Sequence, residues 1–144
     1  MAQEVTTPKG IEQGRATHAY KAVNEVEEQY KKKYKTAVKK APVLVKTNGL
    51  GQTLAFIKSK GGKYDDKKKE IIKNGYDIFY EQIGEWLRSD AANQSIPDDG
   101  ELVKEVIKLD SHDYRQVTIE TLALLNWMRR FVDGLMKDVE EDNE

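Results

Sequence analysis

The sequence predicts an all-α fold, a single-domain bundle of about five to six helices. Three observations carry that expectation. Apolar residues recur at steps of three and four along most of the chain. No segment alternates apolar and polar residues over the length of a strand. With 144 residues, 38% of them apolar, the chain can bury one core but not two comfortable ones.

The first stripe is Ala16, Ala19, Tyr20, Val23, Val26, Tyr30, Tyr34, Ala37 and Val38. It predicts one long amphipathic helix from Arg15 to Lys40, about 39 Å at roughly 1.5 Å per residue. Glu25, Glu27 and Glu28 precede Lys31, Lys32 and Lys35 at helical spacing, which supports it. Pro42 is expected to stop this helix, because the residue before a proline disfavours helical dihedrals. Pro42 to Asn48 then reads as a short helical turn packed into the core, with Thr47 or Asn48 capping a helix from Gly49 to Lys60. Leu50, Thr53, Leu54 and Ile57 are its inward positions, and Gly61-Gly62 ends it.

Asp65 or Asp66 is expected to open a third helix whose stripe is Ile72, Tyr76, Phe79, Ile83, Trp86 and Leu87. Gly75 and Gly84 inside it each cost roughly 1 kcal/mol against Ala, which implies close packing on another backbone. A loop from Ser89 to Gly100 leads to a short helix from Glu101 to Leu109. The last helix begins near Ser111 and carries Tyr114, Val117, Thr121, Leu124, Leu125, Met128, Phe131, Leu135 and Val139. The expected division is a flexible arm at 1–10, a bundle at 11–138 and an acidic, frayed tail at 139–144.

The net charge of −1 conceals an asymmetry. Lys31 to Lys73 holds fourteen lysines against Asp65, Asp66 and Glu70, so this segment carries +11 and the remainder −12. A basic segment of this kind offers phosphates a counterion surface. The plainer alternative is a solvated, lysine-rich helical face. With no Cys, the chain has no disulfide, no thiolate nucleophile and no thiolate metal site. "MAQEVTTPKG" lacks the apolar segment of a signal peptide, so a cytoplasmic location is expected.

Motifs for turnover fail one by one. A dinucleotide fingerprint beginning at Gly49 requires glycine where Leu54 stands. A Walker A loop ending at Gly62-Lys63 requires Gly at position 57 and Ser or Thr at 64, and Ile57 and Tyr64 occupy them. His112-Asp113 resembles half of a metal dyad, yet His18 is the one other imidazole. No catalytic residue, metal ligand or cofactor site is expected, and the chain reads as a non-enzyme. Binding is better served. Asn48-Gly49-Leu50-Gly51 at a helix start could seat a phosphate or simply let two helices touch. Tyr30 and Tyr34 could stack on bases or lie in the core. Of Arg129 and Arg130, one must point outward and could meet a phosphate or an acidic partner.

The run "KKAPVLVKTNGLGQTLAFIKSK" (Lys39 to Lys60) resembles the small α-helical subunit of the type III-B CRISPR effector, the Cmr ribonucleoprotein complex. "RATHAYKAVNEV" (Arg15 to Val26), "IGEWL" (Ile83 to Leu87) and "YRQVTIETLALLNWMRRFVDGL" (Tyr114 to Leu135) extend the likeness along nearly the whole chain in order. The matching positions of the central run include Lys40, Pro42, Asn48, Gly49, Leu50, Gln52, Thr53 and Lys60. The resemblance implies a non-catalytic subunit of an antiviral defence complex, stacked in copies along the guide-RNA filament. Its implied partners are RAMP-type backbone subunits, the large polymerase-like subunit, further copies of itself, the guide RNA and the target RNA. On that footing Arg15, Lys40, Lys46, Lys60, Arg129 and Arg130 are the residues expected on the RNA side. The other reading is a protein–protein adaptor that self-stacks, basic face on acidic face, without touching nucleic acid.

Overall fold

The computed structural model of the chain describes residues 8–94, 96–97 and 100–142. Most of the expected N-terminal arm and the last two residues of the expected tail lie outside the described residues.

Among the described residues the fold is all-α apart from one small hairpin. Helices α1 (Pro8–Asn24), α2 (Lys31–Asn48), α3 (Leu50–Ser59), α4 (Gly75–Arg88), α5 (Leu102–Ile107) and α6 (Ser111–Leu135) form the bundle. Strands β1 (Lys63–Asp65) and β2 (Glu70–Ile72) pair antiparallel between α3 and α4, with Lys63 opposite Ile72 and Tyr64 opposite Ile71. Helix α6 packs along α1 and α2, and α2 also lies against α3 and α4. The core these helices enclose is continuous, from Ala19 and Val23 through Tyr34 and Val38 to Phe79, Leu87, Leu124 and Met128.

The single helix expected from Arg15 to Lys40 is two helices. Glu27 is extended (ψ 152°), and a 3-10 turn at Glu28–Tyr30 reaims the chain before α2 begins. Val26, Tyr30 and Tyr34 keep their four-residue steps across the break, so periodicity alone could not see it. The turn lets each half bury its own stripe, α1 mainly on α6 and α2 on α4, α6 and α3.

Pro42 does not stop the helix but sits buried inside α2, which runs six residues further. An internal proline removes one helical hydrogen bond and costs about 3 kcal/mol. Burial of Ala41, Pro42 and Val45 on the core side works against that cost. Because α2 continues to Asn48, neither Thr47 nor Asn48 caps the next helix. The Thr47 hydroxyl instead donates back to the Val43 carbonyl at 2.9 Å. The junction is Gly49, whose φ of +88° suits glycine and few other residues. Leu50, Thr53, Leu54 and Ile57 are all buried, as their spacing predicts.

Asp65 and Asp66 do not open a helix. The Asp65 carboxylate accepts the N–H groups of Lys67 and Lys68 (2.8 and 3.1 Å), and Lys69 adopts φ +54°, so the segment closes as a turn between two strands. Helix α4 starts ten residues later behind an Asn74 cap, so Ile72 belongs to β2 and is exposed. The rest of the predicted stripe, Tyr76, Phe79, Ile83, Trp86 and Leu87, is buried. A Cβ on Gly75 would lie 2.2 Å from the Tyr34 backbone nitrogen, the close approach its glycine implies. Gly84 has no such backbone neighbour. Its nearest atoms are Arg88 Nη1 at 3.4 Å and a Leu102 methyl at 3.6 Å.

Candidate nucleic-acid interface

The hairpin carries little core of its own, since every strand residue except the half-buried Asp65 is exposed. Two-stranded hairpins of that kind are marginal in water. Here the base of the hairpin is clamped by α4. Asp77 Oδ2 accepts both the Gly62 N–H (2.6 Å) and the Asn74 N–H (2.8 Å), one from each arm. Asn74 Nδ2 donates to the Lys60 carbonyl at 2.9 Å, and its Oδ1 accepts the Tyr76 N–H at 2.8 Å. Both glycines of the Gly61-Gly62 pair are needed for the fit. A Cβ on Gly61 would lie 2.3 Å from Asp77 Oδ1, and one on Gly62 would lie 2.2 Å from the Ile72 carbonyl oxygen.

This clamp opens a cleft of about 590 Å³ between the start of α2, the end of α3 and the hairpin. Lys33, Lys60, Lys63 and Lys73 line it, with Tyr64, Asp65, Ile72 and Asn74. Lys33 pairs with Asp142 at 2.9 Å and Lys73 with Glu81 at 2.6 Å, and the Glu81 carboxylate holds the Lys73 ammonium above its usual range. Lys67, Lys68 and Lys69 continue the positive charge, exposed, at the hairpin tip.

Elsewhere the basic segment turns inward. The Lys35 ammonium is buried and donates to the carbonyls of Met136 (2.8 Å) and Val139 (2.9 Å), at and beyond the C-terminal end of α6, where a cation complements unpaired carbonyls. The Asp142 N–H donates to the Thr36 hydroxyl at 2.6 Å, tying residues 136–142 back onto α2. Lys39 pairs with Asp133 at 2.8 Å and holds that carboxyl below its usual range. Lys58 pairs with Glu101 at 2.6 Å.

Of the six residues expected on the RNA side, Lys60 lines the cleft, and its ammonium stands 5.8 Å from the Phe56 ring centroid. Lys40 and Lys46 lie on α2, half-buried and exposed respectively. Arg129 and Arg130 are both exposed on α6, and Arg130 borders a shallow groove with Trp127 and Glu12. Arg15 is bound within the fold. Its Nε and Nη2 donate to the buried Glu120 carboxylate (2.7 and 2.9 Å), and its Nη1 donates to Glu12. Trp86 Nε1 supplies Glu120 with a further hydrogen bond at 2.8 Å.

The other sequence candidates resolve in the same way. Tyr34 is fully buried, its hydroxyl donating to Gln82 Oε1 at 2.6 Å, and burial pushes its pKa upward. It cannot stack on a base, whereas Tyr30 is half-buried beside it in the chain order. The possible phosphate seat at Asn48–Gly51 is a helix contact, because the Gly51 N–H donates to the Tyr114 hydroxyl. His18 lies against Trp86 and within 3.1 Å of the Gln82 carbonyl oxygen, and His112 is exposed. Among the described residues no group of three or more His, Asp or Glu is placed to hold a metal ion. No helix among them is long and apolar enough to cross a membrane.

The residues that sequence reasoning passed over are Lys33, Lys63, Lys73 and the clamp. The signal was present: Asn74 three residues before Asp77 is a capping-box spacing, and Gly61-Gly62 marks a close approach. What the chain order could not show is that α2 and the hairpin meet.

The described residues thus form a helical bundle with a clamped hairpin and a lysine-lined cleft. The family model of the CRISPR-associated protein (Cas_Cmr5) matches residues 11–135, and the chain belongs to that family. It is accordingly a subunit of the type III-B CRISPR Cmr complex, the assignment that the Lys39–Lys60 run suggested.

Proposed function

We propose that the chain is a non-catalytic structural subunit that stacks in copies along the guide-RNA filament and steadies the bound target RNA through its basic segment. The observation that carries this reading is the charge division, +11 against −12, together with the exposure of Lys32, Lys46, Lys63 and Lys67 to Lys69 within the basic part. Lysines neutralise phosphates as point charges and read no bases, so the contact is electrostatic and sequence-indifferent. Lys40, Lys46, Lys60, Arg129 and Arg130 are the residues assigned to it. Arg15, also expected on the RNA side, is engaged by Glu120 and Glu12. Target cleavage in this reading belongs to other subunits of the complex.

Titration of single-stranded RNA with the isolated protein at rising salt tests it. Binding should be weak, indifferent to sequence and lost as ionic strength rises. Indifference to salt, or no binding at low salt, would count against it.

A second reading has its own observation. Ile71, Ile107 and Ile119 are each more than half exposed (65%, 64% and 53%), apolar side chains that a docked protein would cover. On that reading the chain is an adaptor meeting backbone subunits or its own copies. Reversing the charge of Lys40 and Lys46 separates the two. Assembly lost with RNA absent supports the adaptor; intact assembly with weakened target binding supports the RNA contact.

A further inference from the structure

We propose that the cleft between the start of α2, the end of α3 and the hairpin is the seat of the RNA sugar–phosphate backbone, gripped by Lys60, Lys63 and Lys73. This rests on the RNA-facing reading above and adds to its lysines a grip centred on Lys60, beyond Lys40 and Lys46 in the chain order.

Four observations converge on the cleft. Its cations come from three separate segments of chain, which only the fold brings together. The stretch from Lys58 to Lys73 holds seven lysines against three acidic residues, a local charge of +4. The Lys73–Glu81 pair has both side chains about half exposed (53% and 48%), and solvent screens exposed pairs of this kind, so a phosphate can exchange for the carboxylate at little cost. Finally, the Asp77 clamp fixes the position of a hairpin that contributes almost nothing to the core. A segment held so firmly for no packing reason fits a part that must present its side chains at a set distance from α2 and α3.

Strand alternation refines the geometry. Lys63 and its register partner Ile72 both line the cleft, so that face of the hairpin is the cleft wall. The cross-strand pair Tyr64 and Ile71 alternates to the other side of the hairpin, 60% and 65% exposed; Tyr64 still borders the cleft, whereas Ile71 does not. The grip is therefore one of charge, with a phosphate beside Lys60 and Lys63 and the strand running on towards Lys67 to Lys69. Tyr64 takes no part in it as a stacking platform.

The test is a titration of labelled single-stranded RNA of mixed sequence with the full chain at several salt concentrations, comparing wild type, Lys63→Ala, Lys63→Glu, Tyr64→Ala and the pair Lys40→Glu/Lys46→Glu. Thermal melts establish that each variant is folded. Lys63→Ala is expected to lower the salt slope by about 0.7, the value for one phosphate contact on a single strand. Lys63→Glu is expected to weaken binding about tenfold or more, and Tyr64→Ala to leave both quantities unchanged. If the Lys63 variants bind like wild type while Lys40→Glu/Lys46→Glu does not, the strand lies along α2; the cleft is then wrong and the RNA-facing reading stands. A loss confined to Tyr64→Ala would replace the charge grip with stacking and overturn the proposal. Lys63→Glu that keeps RNA binding but no longer joins partner subunits would assign the cleft to an acidic protein surface, again overturning it. Failure of the wild type to bind at low salt would remove both readings together.

Discussion

The hydroxyl of Tyr114 accepts the Gly51 N–H at 2.8 Å, and through that bond α6 closes the N-terminal end of α3. Gly49 and Gly51 make room for the phenol, a Cβ at either position lying 3.4 Å from its oxygen. Tyr114→Phe leaves a partly buried N–H without this acceptor and is expected to lower stability by about 1 kcal/mol. Urea unfolding measures it. A change below about 0.3 kcal/mol would mean that water replaces the hydroxyl at no cost.

Two glycines on α4 are expected to respond in opposite directions. Gly75 touches the backbone of α2, where an added methyl would sit 2.2 Å from Tyr34 N and 2.4 Å from the Tyr30 carbonyl oxygen. Neither atom can move without shifting α2, so Gly75→Ala should cost about 3 kcal/mol or more. At Gly84 the nearest atoms are the end of a flexible arginine and a methyl at ordinary contact distance. There the helix propensity of alanine should prevail, and Gly84→Ala should gain about 0.5–1 kcal/mol. Denaturant midpoints of the two variants check both signs, and a destabilised Gly84→Ala would show that α5 packs more tightly on α4 than those distances allow.

The sequence periods revealed helices and their buried faces because burial repeats locally: Leu50 to Ile57 on α3 and Tyr76 to Leu87 on α4 were legible residue by residue. Directions were less legible. The break at Glu27 preserves the four-residue step from Val26 to Tyr30, and Pro42 stays helical because tertiary burial outweighs its local preference. The hairpin was missed because its strands are three residues long and mostly exposed, too short for alternation to register. Lys60 was singled out with the Lys39–Lys60 run, but Lys33 and Lys73 become its neighbours across the cleft only through folding. Arg15 looked available in one dimension because its partner Glu120 is 105 residues away.

That partnership makes a prediction of its own. Glu120 is buried and accepts three hydrogen bonds, two from Arg15 and one from Trp86. The Glu120 carboxylate in turn holds the Arg15 guanidinium above its usual pKa. Arg15→Met removes the compensating cation from a buried carboxylate and should destabilise the fold by about 3 kcal/mol. The double variant Arg15→Met/Glu120→Gln should recover part of that loss, because it removes the stranded charge as well. Denaturant unfolding of the two variants measures the coupling. Equal losses in the single and double variants would indicate that water already reaches Glu120. Any fall in RNA affinity of Arg15→Met belongs to the fold if the double variant restores it.

Glu101 links the start of α5 to both α3 and α4, and acid should loosen it. Burial raises the pKa of its carboxyl, but hydrogen bonds from Lys58 and from the Tyr80 hydroxyl outweigh burial and hold it below the ordinary value of 4.5. The Tyr80 hydroxyl also accepts the Val103 N–H at 3.0 Å, so the same cluster fixes the first turn of α5. A carboxyl whose folded pKa is depressed binds its proton more readily in the unfolded chain. Its contribution is therefore complete above the unfolded value and declines as pH falls through the folded one. The melting temperature should drop between about pH 5 and pH 3 partly for this reason. Lys58→Met weakens the depression, so its difference from wild type should be largest near neutral pH and shrink in acid. Asp133, held below its ordinary value of 3.8 by Lys39, loses its contribution in the same direction as pH falls, which makes Lys39→Met the control. If the gap between Lys58→Met and wild type stays constant across that range while Lys39→Met converges, the Lys58–Glu101 contact contributes through packing of the lysine stem and not through charge.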